Sequence, residues 1–454
     1  MTIASVQNLL NICWLRRNMP RVRPLAAKCP LAKADCWHAG VSAVRDANRV
    51  TLFGLRCSVV GLVSITAVVL SQAVLAVDPL QPNAATQLQL LQPAVVPQAM
   101  HLWIFDLHPA CSAGVTYDDN IALNSTNRLH DWIWQFSPHI VAESDKMEGG
   151  YGTSLTLDYM PNLQVFTEHS DDDNLDEHAS IAGVWAMSKL TLGLRQSYDE
   201  VKTGVAEVGE RLRQDTYDTE LSSRYILGEK TFVEFNPRMT ISQTENLIGT
   251  TEWGVDGFLN RILTSKITGG VGGSGGYVAP SYGPEQTYGR GLLHLQYAAT
   301  GKLDLDASCG EEWRNYHGER SDTLTPVFGL GAAYRLRERT TITLEGRRAE
   351  VVSGLLTNQD YITTGATVGI REQVADRVQV YVTGSYDNRS YNATKTAVEA
   401  LRRDALYQAR GGIDITVGRH LTFDVYYQYE RDDSNVALQN FTDDQVGLSG
   451  SWKL

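Results

Sequence analysis

From about residue 131 to the C-terminus, apolar and polar residues alternate with a period of two. Leu421, Phe423, Val425, Tyr427 and Tyr429 interleave with Thr422, Asp424, Tyr426, Gln428 and Glu430. Val378, Val380, Val382 and Tyr386 interleave with Gln379, Tyr381, Thr383 and Asp387. Tyr151, Leu155, Leu157 and Tyr159 do the same with Gly152, Ser154, Thr156 and Asp158, and Val446, Leu448 and Trp452 with Gly447, Ser449 and Lys453. Successive side chains on a strand point to opposite faces, so this alternation predicts strands with one apolar and one polar face. Aromatics favour the ends of the apolar rows, where a girdle at a membrane boundary would place them.

The alternation is also organised as a repeat. A short turn, a cation and a new alternating run recur at Lys189, Lys230, Lys266, Lys302, Arg339, Arg377 and His420, spaced by 36 to 43 residues. A propeller blade needs four short strands per unit, whereas each unit here holds two long ones. Short connections are expected at Pro161-Asn162, Ser188-Lys189, Gly228-Glu229, Thr264-Ser265, Gly301, Arg337-Glu338, Ala375-Asp376 and Gly418-Arg419. Longer polar loops are expected at 168–178, 200–216, 244–251, 273–286, 315–323, 351–360, 390–405 and 432–440. Short turns at one end and long loops at the other are the signature of an outer-membrane barrel. With one strand before the hairpins (131–142, then a loop at 143–150) and one after them (441–454), the pattern predicts an all-β fold. It is a transmembrane antiparallel up-and-down β-barrel of about 18 strands, with 16 as the alternative count. Backbone groups in lipid must be paired internally, so a spanning sheet must close on itself.

The first 76 residues differ from the rest. They hold nine Arg and Lys against two acids, and four of the six cysteines. A basic flank ending at Arg56, the apolar run Val59–Leu70 and small residues up to Ala76 read as a secretory signal peptide behind an N-terminal extension. A membrane-anchor helix is the alternative. The extension is long for such a leader, and Met19 or a non-standard start near Val50 are alternative beginnings. Residues 77–130, rich in Gln, Pro, Ala and Leu at their start, are expected to form a periplasmic lead-in, and 131–454 the barrel. The expected destination is the bacterial outer membrane, after export through the inner membrane of a Gram-negative cell.

Composition narrows the function. A net charge of −12 argues against a general nucleic-acid binder. Cys111 and Cys309 are the cysteines left after the leader, too few for a disulfide scaffold, although one bridge could form. His169, His178, His294, His317 and His420 lie scattered along the chain and no His/Cys zinc spacing is present, so neither an enzyme nor a metal or other cofactor is expected. The acidic clusters Asp171-Asp172-Asp173, Asp176-Glu177, Asp432-Asp433 and Asp443-Asp444 lack the spacing of a calcium loop and read as loop charge. The Gly-rich stretch Gly269–Gly276 reads as a flexible loop, and an inward fold is its alternative. The run Asp118-Asp119-Asn120 reads either as a turn or as a plug contact on the periplasmic side.

A barrel of this size encloses more space than side chains can fill, so a wet lumen is expected. Its polar face offers Arg195, Arg224, Arg238, Arg347, Arg371, Arg410, Asp158, Glu234, Asp304, Asp306, Glu345, Asp387, Asp424 and Glu430 as lumen-lining selectivity candidates, with Arg290, Arg335, Glu220 and Asp414 in the same series. Rings of charge set pore selectivity. The two signs are nearly balanced here, which predicts at most a weak cation preference; the alternative is that many of these charges pair across neighbouring strands.

Residues 114–120, Gly-Val-Thr-Tyr-Asp-Asp-Asn, precede an aromatic strand and a proline, Asp131-Trp-Ile-Trp-Gln-Phe-Ser-Pro138. Together with the final Phe441-Thr-Asp-Asp-Gln-Val-Gly-Leu448, they resemble the putative beta-barrel porin type 2 family over roughly 105–454. That resemblance implies an outer-membrane barrel of porin type. The chain departs from the family at its end, Trp452-Lys453-Leu454, where a terminal Phe is usual. The function expected is a porin-like channel for passive diffusion of small hydrophilic solutes. An exopolysaccharide export conduit working with periplasmic partners, or a non-conducting structural surface barrel, is the alternative. Expected partners are outer-membrane lipid and lipopolysaccharide, the barrel-assembly machinery during biogenesis and, in one arrangement, further copies in a homo-oligomer.

Overall fold

The structure, a computed structural model, describes residues 100–148, 150–205, 208–298, 301–317, 321–353, 360–392 and 402–454. The leader and residues 77–99 of the lead-in lie outside these residues. The described chain is strand followed by strand: β1 (Met100–Leu102), β2 (Phe105–Asp118), β3 (Asp131–Asp145), β4 (Gly152–Phe166), β5 (Asn174–Ala186), β6 (Leu190–Val205) and β7 (Glu210–Gly228). These are followed by β8 (Thr231–Thr244), β9 (Thr250–Thr264), β10 (Ile267–Pro280), β11 (Gln286–Ala298), β12 (Leu303–Tyr316) and β13 (Thr323–Arg337). The last are β14 (Thr340–Val352), β15 (Asp360–Ala375), β16 (Val378–Tyr391), β17 (Arg403–Val417), β18 (Leu421–Ser434) and β19 (Phe441–Lys453). No helix among the described residues is long and apolar enough to cross a membrane.

Each strand from β2 to β19 pairs antiparallel with its sequence neighbours, and β19 closes the sheet on β2 from Gln445↔Asp118 to Lys453↔Ala110. The result is a closed up-and-down barrel of 18 strands, with β1 a short extra strand folded back on β2. Strands of 13 to 19 residues exceed the ~9–11 needed to span a bilayer. Their outer rows carry exposed Leu, Val, Ile and aromatics: Trp132, Trp253 and Trp313 toward the long-loop end, Trp185, Tyr225, Tyr334 and Phe423 toward the short-turn end. Such a band is stable in hydrocarbon and would not be in water.

The seven repeat cations share one backbone role. The carbonyls of Lys189, Lys230, Lys266, Lys302, Arg339, Arg377 and His420 accept from Ile226, Ile262, Ala298, Arg335, Gln373, Thr416 and Lys453 respectively. Each such bond extends the ladder by one rung beyond a short turn, onto the strand after next. The cationic side chains therefore cluster at the short-turn end, where long basic stems place their charges at the membrane boundary.

Three expectations are corrected. Pro161-Asn162 is not a turn but the middle of β4, and the true turn lies between Asp145 and Gly152. The lead-in is part of the barrel: Phe105–Asp118 is its first strand, so β3 starts from the long-loop end and not the short-turn end. The two errors cancel in the strand count. The Gly269–Gly276 stretch is a strand, β10, not a loop. Its inward glycines leave space for neighbours to lie across it: a Cβ on Gly276 would stand 2.4 Å from the Tyr288 ring, and one on Gly272 would stand 2.5 Å from Phe258. Most long loops are also shorter than expected, because ladders continue into water with polar residues on both faces, as in β6 and β7. Cys111 and Cys309 are free thiols on the outer rows of β2 and β12.

Prolines interrupt the wall and side chains repair it. In the ladder gap around Pro237, between Glu220↔Arg238 and Arg224↔Glu234, the Ser223 backbone N–H donates to Asn236 Oδ1 at 3.2 Å and its hydroxyl to the Phe235 carbonyl at 2.6 Å. At Pro326 the β13–β14 ladder stops at Phe328↔Arg348, and Arg348 Nε donates to the Pro326 carbonyl at 3.0 Å. A proline cannot donate to the ladder, so each such position needs a substitute.

Candidate functional site: the lumen

The strand register fixes which row faces inward. All fourteen predicted lumen residues lie on the row opposite the exposed apolar one. Most are paired. Arg238 contacts Glu252 at 3.0 Å and Asp256 at 3.5 Å. Arg347 meets Asp387 at 3.2 Å, Asp304 meets Arg335 at 3.7 Å, and Asp158 meets His139 at 2.9 Å. Asp306 accepts from His294 and Gln296, both at 3.1 Å, and Glu234 from Asn260 at 2.7 Å. Arg195 stands opposite Glu220, and Arg224 opposite Glu234 with its guanidinium 3.7 Å above the Phe232 ring. Arg371 lies 3.9 Å from Asp414 and Arg410 3.7 Å from Asp424. Glu345 stands between Gly331 and Thr367, and Glu430 between Gln408 and Asp443.

Two tyrosine-centred clusters organise the wall. In one, Tyr288 donates to Glu252 at 2.6 Å and accepts from Arg238 at 2.9 Å. Arg290 and Arg314 stand 4.7 and 5.3 Å from its ring centre. Between those two arginines is Glu312, fully buried, accepting at 2.6 Å from Arg290 and at 2.8 Å from Arg314. In the other, Tyr381 donates to Asp424 at 3.0 Å, and Arg410 lies 3.8 Å above the Tyr426 ring. Tyr381 lies across Gly412 and Tyr426 across Gly447, each directly opposite in register. An inward glycine thus lets a neighbouring ring lie flat against the wall instead of projecting into the lumen.

The sequence reading missed Glu312 and Arg314, although both share the parity of Asp304 and Asp306 on β12. It also missed Asp443 and Asp118, which it placed in acidic loop and turn motifs, whereas both face inward on β19 and β2.

The long-loop end of the lumen is narrowed from two sides. The β2–β3 loop, 119–130, starts on Asn120, which is fully buried and donates to the Thr442 carbonyl at 2.9 Å and the Asn124 carbonyl at 3.1 Å. This loop is at the end opposite to the expected periplasmic contact. Ile121 and Leu129 pack on Ile133 and Phe166. The loop then reaches the β6–β7 rim, where Asn124 donates to the Gly209 carbonyl at 3.3 Å and Arg211 to the Ile121 carbonyl at 3.4 Å. From the other side, β14 and β15 lean inward. Asp360 accepts from Gln286 of β11 at 3.2 Å. The Glu350 carbonyl accepts from Arg314 at 3.2 Å, and its carboxylate from Thr325 and Asn392, both at 3.1 Å. Leu292, Val327 and Ala349 form a small apolar layer beneath, with Phe258 against it.

A closed 18-stranded antiparallel barrel with an apolar outer band and a charged lumen is a porin-like outer-membrane β-barrel. Residues 294–453 match the family model described as "Putative beta-barrel porin 2", the family that the sequence resembles. No curated protein sequence matches the chain. Among solved structures, the chain is similar to the outer membrane protein OpdK of Pseudomonas aeruginosa at 14% identity and a TM-score of 0.43, over 77% of this chain and 98% of that one. It is similar to OccK2 (OpdF) of the same organism at 13% identity and a TM-score of 0.43, over 77% and 98%. It is also similar to the FrpB iron transporter of Neisseria meningitidis (F3-3 variant) at 8% identity and a TM-score of 0.41, over 72% of this chain. The chain spans 62% of the length of that transporter.

Proposed function

We propose that the protein is a channel for passive diffusion of small hydrophilic solutes across the outer membrane, reached by export through the inner membrane. The observation that carries this reading is the lumen face: charged and hydrogen-bonding side chains, carboxylates, arginines, histidines, amides and tyrosines among them, line the inward rows, a surface that favours water and polar solutes over lipid. Its chemistry is that of selection by fixed charge and hydrogen bonding, not bond making. Outer-membrane lipid and lipopolysaccharide contact the apolar band, the barrel-assembly machinery inserts it, and a homo-oligomer is compatible with an all-round apolar wall. The two inward-leaning elements at the long-loop end favour a second reading, a gated export conduit or a plugged barrel. Single-channel recording of the full chain, purified from the outer membrane and placed in a planar bilayer, separates them. Stable, large steps support the open pore. A folded, heat-modifiable barrel without steps overturns it in favour of the gated or plugged form.

A further inference from the structure

At the short-turn end, β2 runs on past the last register pair that it makes with β19, Lys453↔Ala110. One edge of this extension still pairs with β3, as far as Asp106↔Glu143. Along the other edge the chain folds back on itself, so that Met100, His101 and Leu102 of β1 lie opposite Leu107, Asp106 and Phe105. Strand alternation carries the two faces of the wall onto this hairpin. Met100, Leu102, Phe105 and Leu107 continue the outward row of Pro109, Cys111 and Ala113, and His101 and Asp106 continue the inward one. On that inward side His101 Nδ1 and Asp106 Oδ1 are 2.9 Å apart, both exposed.

The turn of the hairpin is Trp103-Ile104, and Trp103 has a φ of +60°. A positive φ at the first central residue of a two-residue hairpin is ordinary for glycine and strained for a bulky side chain. Trp103 is also 81% exposed, more than any other large apolar residue among those described. Covering a free sheet edge needs only backbone groups, and glycine would make the turn without strain. Edge cover therefore explains β1 but not the tryptophan at its tip. Strand length gives the depth at which that tip stands. Tyr117 packs against Trp132 in the aromatic belt of the long-loop end, ring centres 5.2 Å apart. Counting the ~9–11 residues of a spanning strand from Tyr117 reaches the opposite boundary at about residues 107–109. The hairpin hangs just past that boundary.

We propose that the β1–β2 hairpin is an interfacial anchor, whose outward face, with Trp103 at its tip, seats in the phospholipid headgroup layer at the short-turn end. The occupant is lipid because the outward row of the hairpin is continuous with the apolar band: Leu107 lies opposite Ala142, and Pro109 opposite the exposed Ile140. The inward row keeps His101 and Asp106 in water, so the hairpin is two-faced in the sense that a membrane surface requires. An indole ring, apolar in its body and a donor at its N–H, is the side chain best suited to that layer. The contact does not depend on conduction, and it holds for an open or a plugged barrel.

Tryptophan fluorescence of the full chain, reconstituted in vesicles of phosphatidylethanolamine and phosphatidylglycerol, tests the contact. The Trp103 component is the difference between the wild type and Trp103→Phe. It should be blue-shifted, quenched by phospholipid brominated near its headgroup, and not quenched by iodide present on both sides of the membrane. Two added reporters read the faces without relying on that variant. Leu102→Trp, on the outward row, should behave as Trp103 does, and His101→Trp, on the inward row, should be quenched by iodide. Iodide quenching of Trp103 and of the Leu102→Trp reporter overturns the anchor and leaves a hairpin standing in water. Shielding from both quenchers overturns it in favour of a protein partner, a second copy included. Equal quenching of the two added reporters by brominated lipid overturns the assigned faces. A barrel that conducts nothing leaves the expected quenching unchanged, so failure of the channel reading and failure of the anchor are told apart.

Discussion

Glu312 is the most demanding test of how the lumen wall is held together. It is fully buried between Arg290 and Arg314, both nearly buried, with contacts of 2.6 and 2.8 Å. Glu312→Gln keeps the shape and removes the charge. At an effective dielectric constant near 20, each ion pair at ~4 Å between charge centres is worth about 4 kcal/mol. The repulsion between the two arginines is the same in both forms and drops out, and part of the loss is offset by the desolvation cost that the carboxylate no longer bears. Breaking a buried pair by removing one partner costs about 3–5 kcal/mol, and this is the expected loss of stability. The assay is urea unfolding and refolding in lipid vesicles, with the fraction folded read from heat-modifiable gel mobility. Arg339–Asp376 provides the contrast: a contact of 3.0 Å, but with the carboxylate 87% exposed. Asp376→Asn should cost no more than about 1 kcal/mol. A loss below about 1 kcal/mol for Glu312→Gln would refute the reasoning, because the triad would then be behaving as a hydrated surface pair.

Two further predictions follow from the wall. Gly412→Val puts a side chain where the Tyr381 ring lies, with the first carbon already 2.5 Å from its Oη; the ring must swing into the lumen, at a cost of about 1–3 kcal/mol, and single-channel conductance should fall. Leu448→Arg, on the exposed outer row, should destabilise the barrel by about 2–4 kcal/mol near the bilayer midplane, whereas Ser449→Arg, one residue on and facing inward, should assemble and shift ion preference toward anions; equal effects from both would contradict the assigned faces.

The barrel was legible because lipid outside and water inside impose a period of two, and because Lys189 through His420 mark one short turn per hairpin. Legibility ended where that pressure ended. Pro161 looked like turn chemistry, yet it sits in a strand whose ladder resumes on both sides, at Tyr159 and at Leu163. Residues 105–118 carry small and polar side chains on both rows, Ala110, Ser112 and Gly114 inward and Cys111 and Ala113 outward, so alternation is faint. The glycines of β10 looked like a loop because the reason for them, the rings of Phe258 and Tyr288, lies on neighbouring strands. The lumen candidates share the row opposite the exposed apolar one, since parity is local. Their distribution around the wall was not visible, because it depends on which strands are neighbours after closure. Asp118 and Glu430 are far apart in the chain and nearly adjacent on the wall.

The interrupted ladder at Pro326 has a mechanical meaning. Between β13 and β14 the rungs run from Phe328↔Arg348 to the short turn, and residues 323–327 are held on that side by side chains, Arg348 to the Pro326 carbonyl and Thr323 and Thr325 to the Glu350 carboxylate. A closed ring under outward stress parts where its backbone stitching is short, and with nine rungs this junction equals β19–β2 as the least laced of the closed barrel. The barrel therefore has a built-in seam, laced by side chains alone at the long-loop end and by backbone rungs toward the turn, and amide protons along it should exchange ahead of those in the fully laced β15–β16 wall.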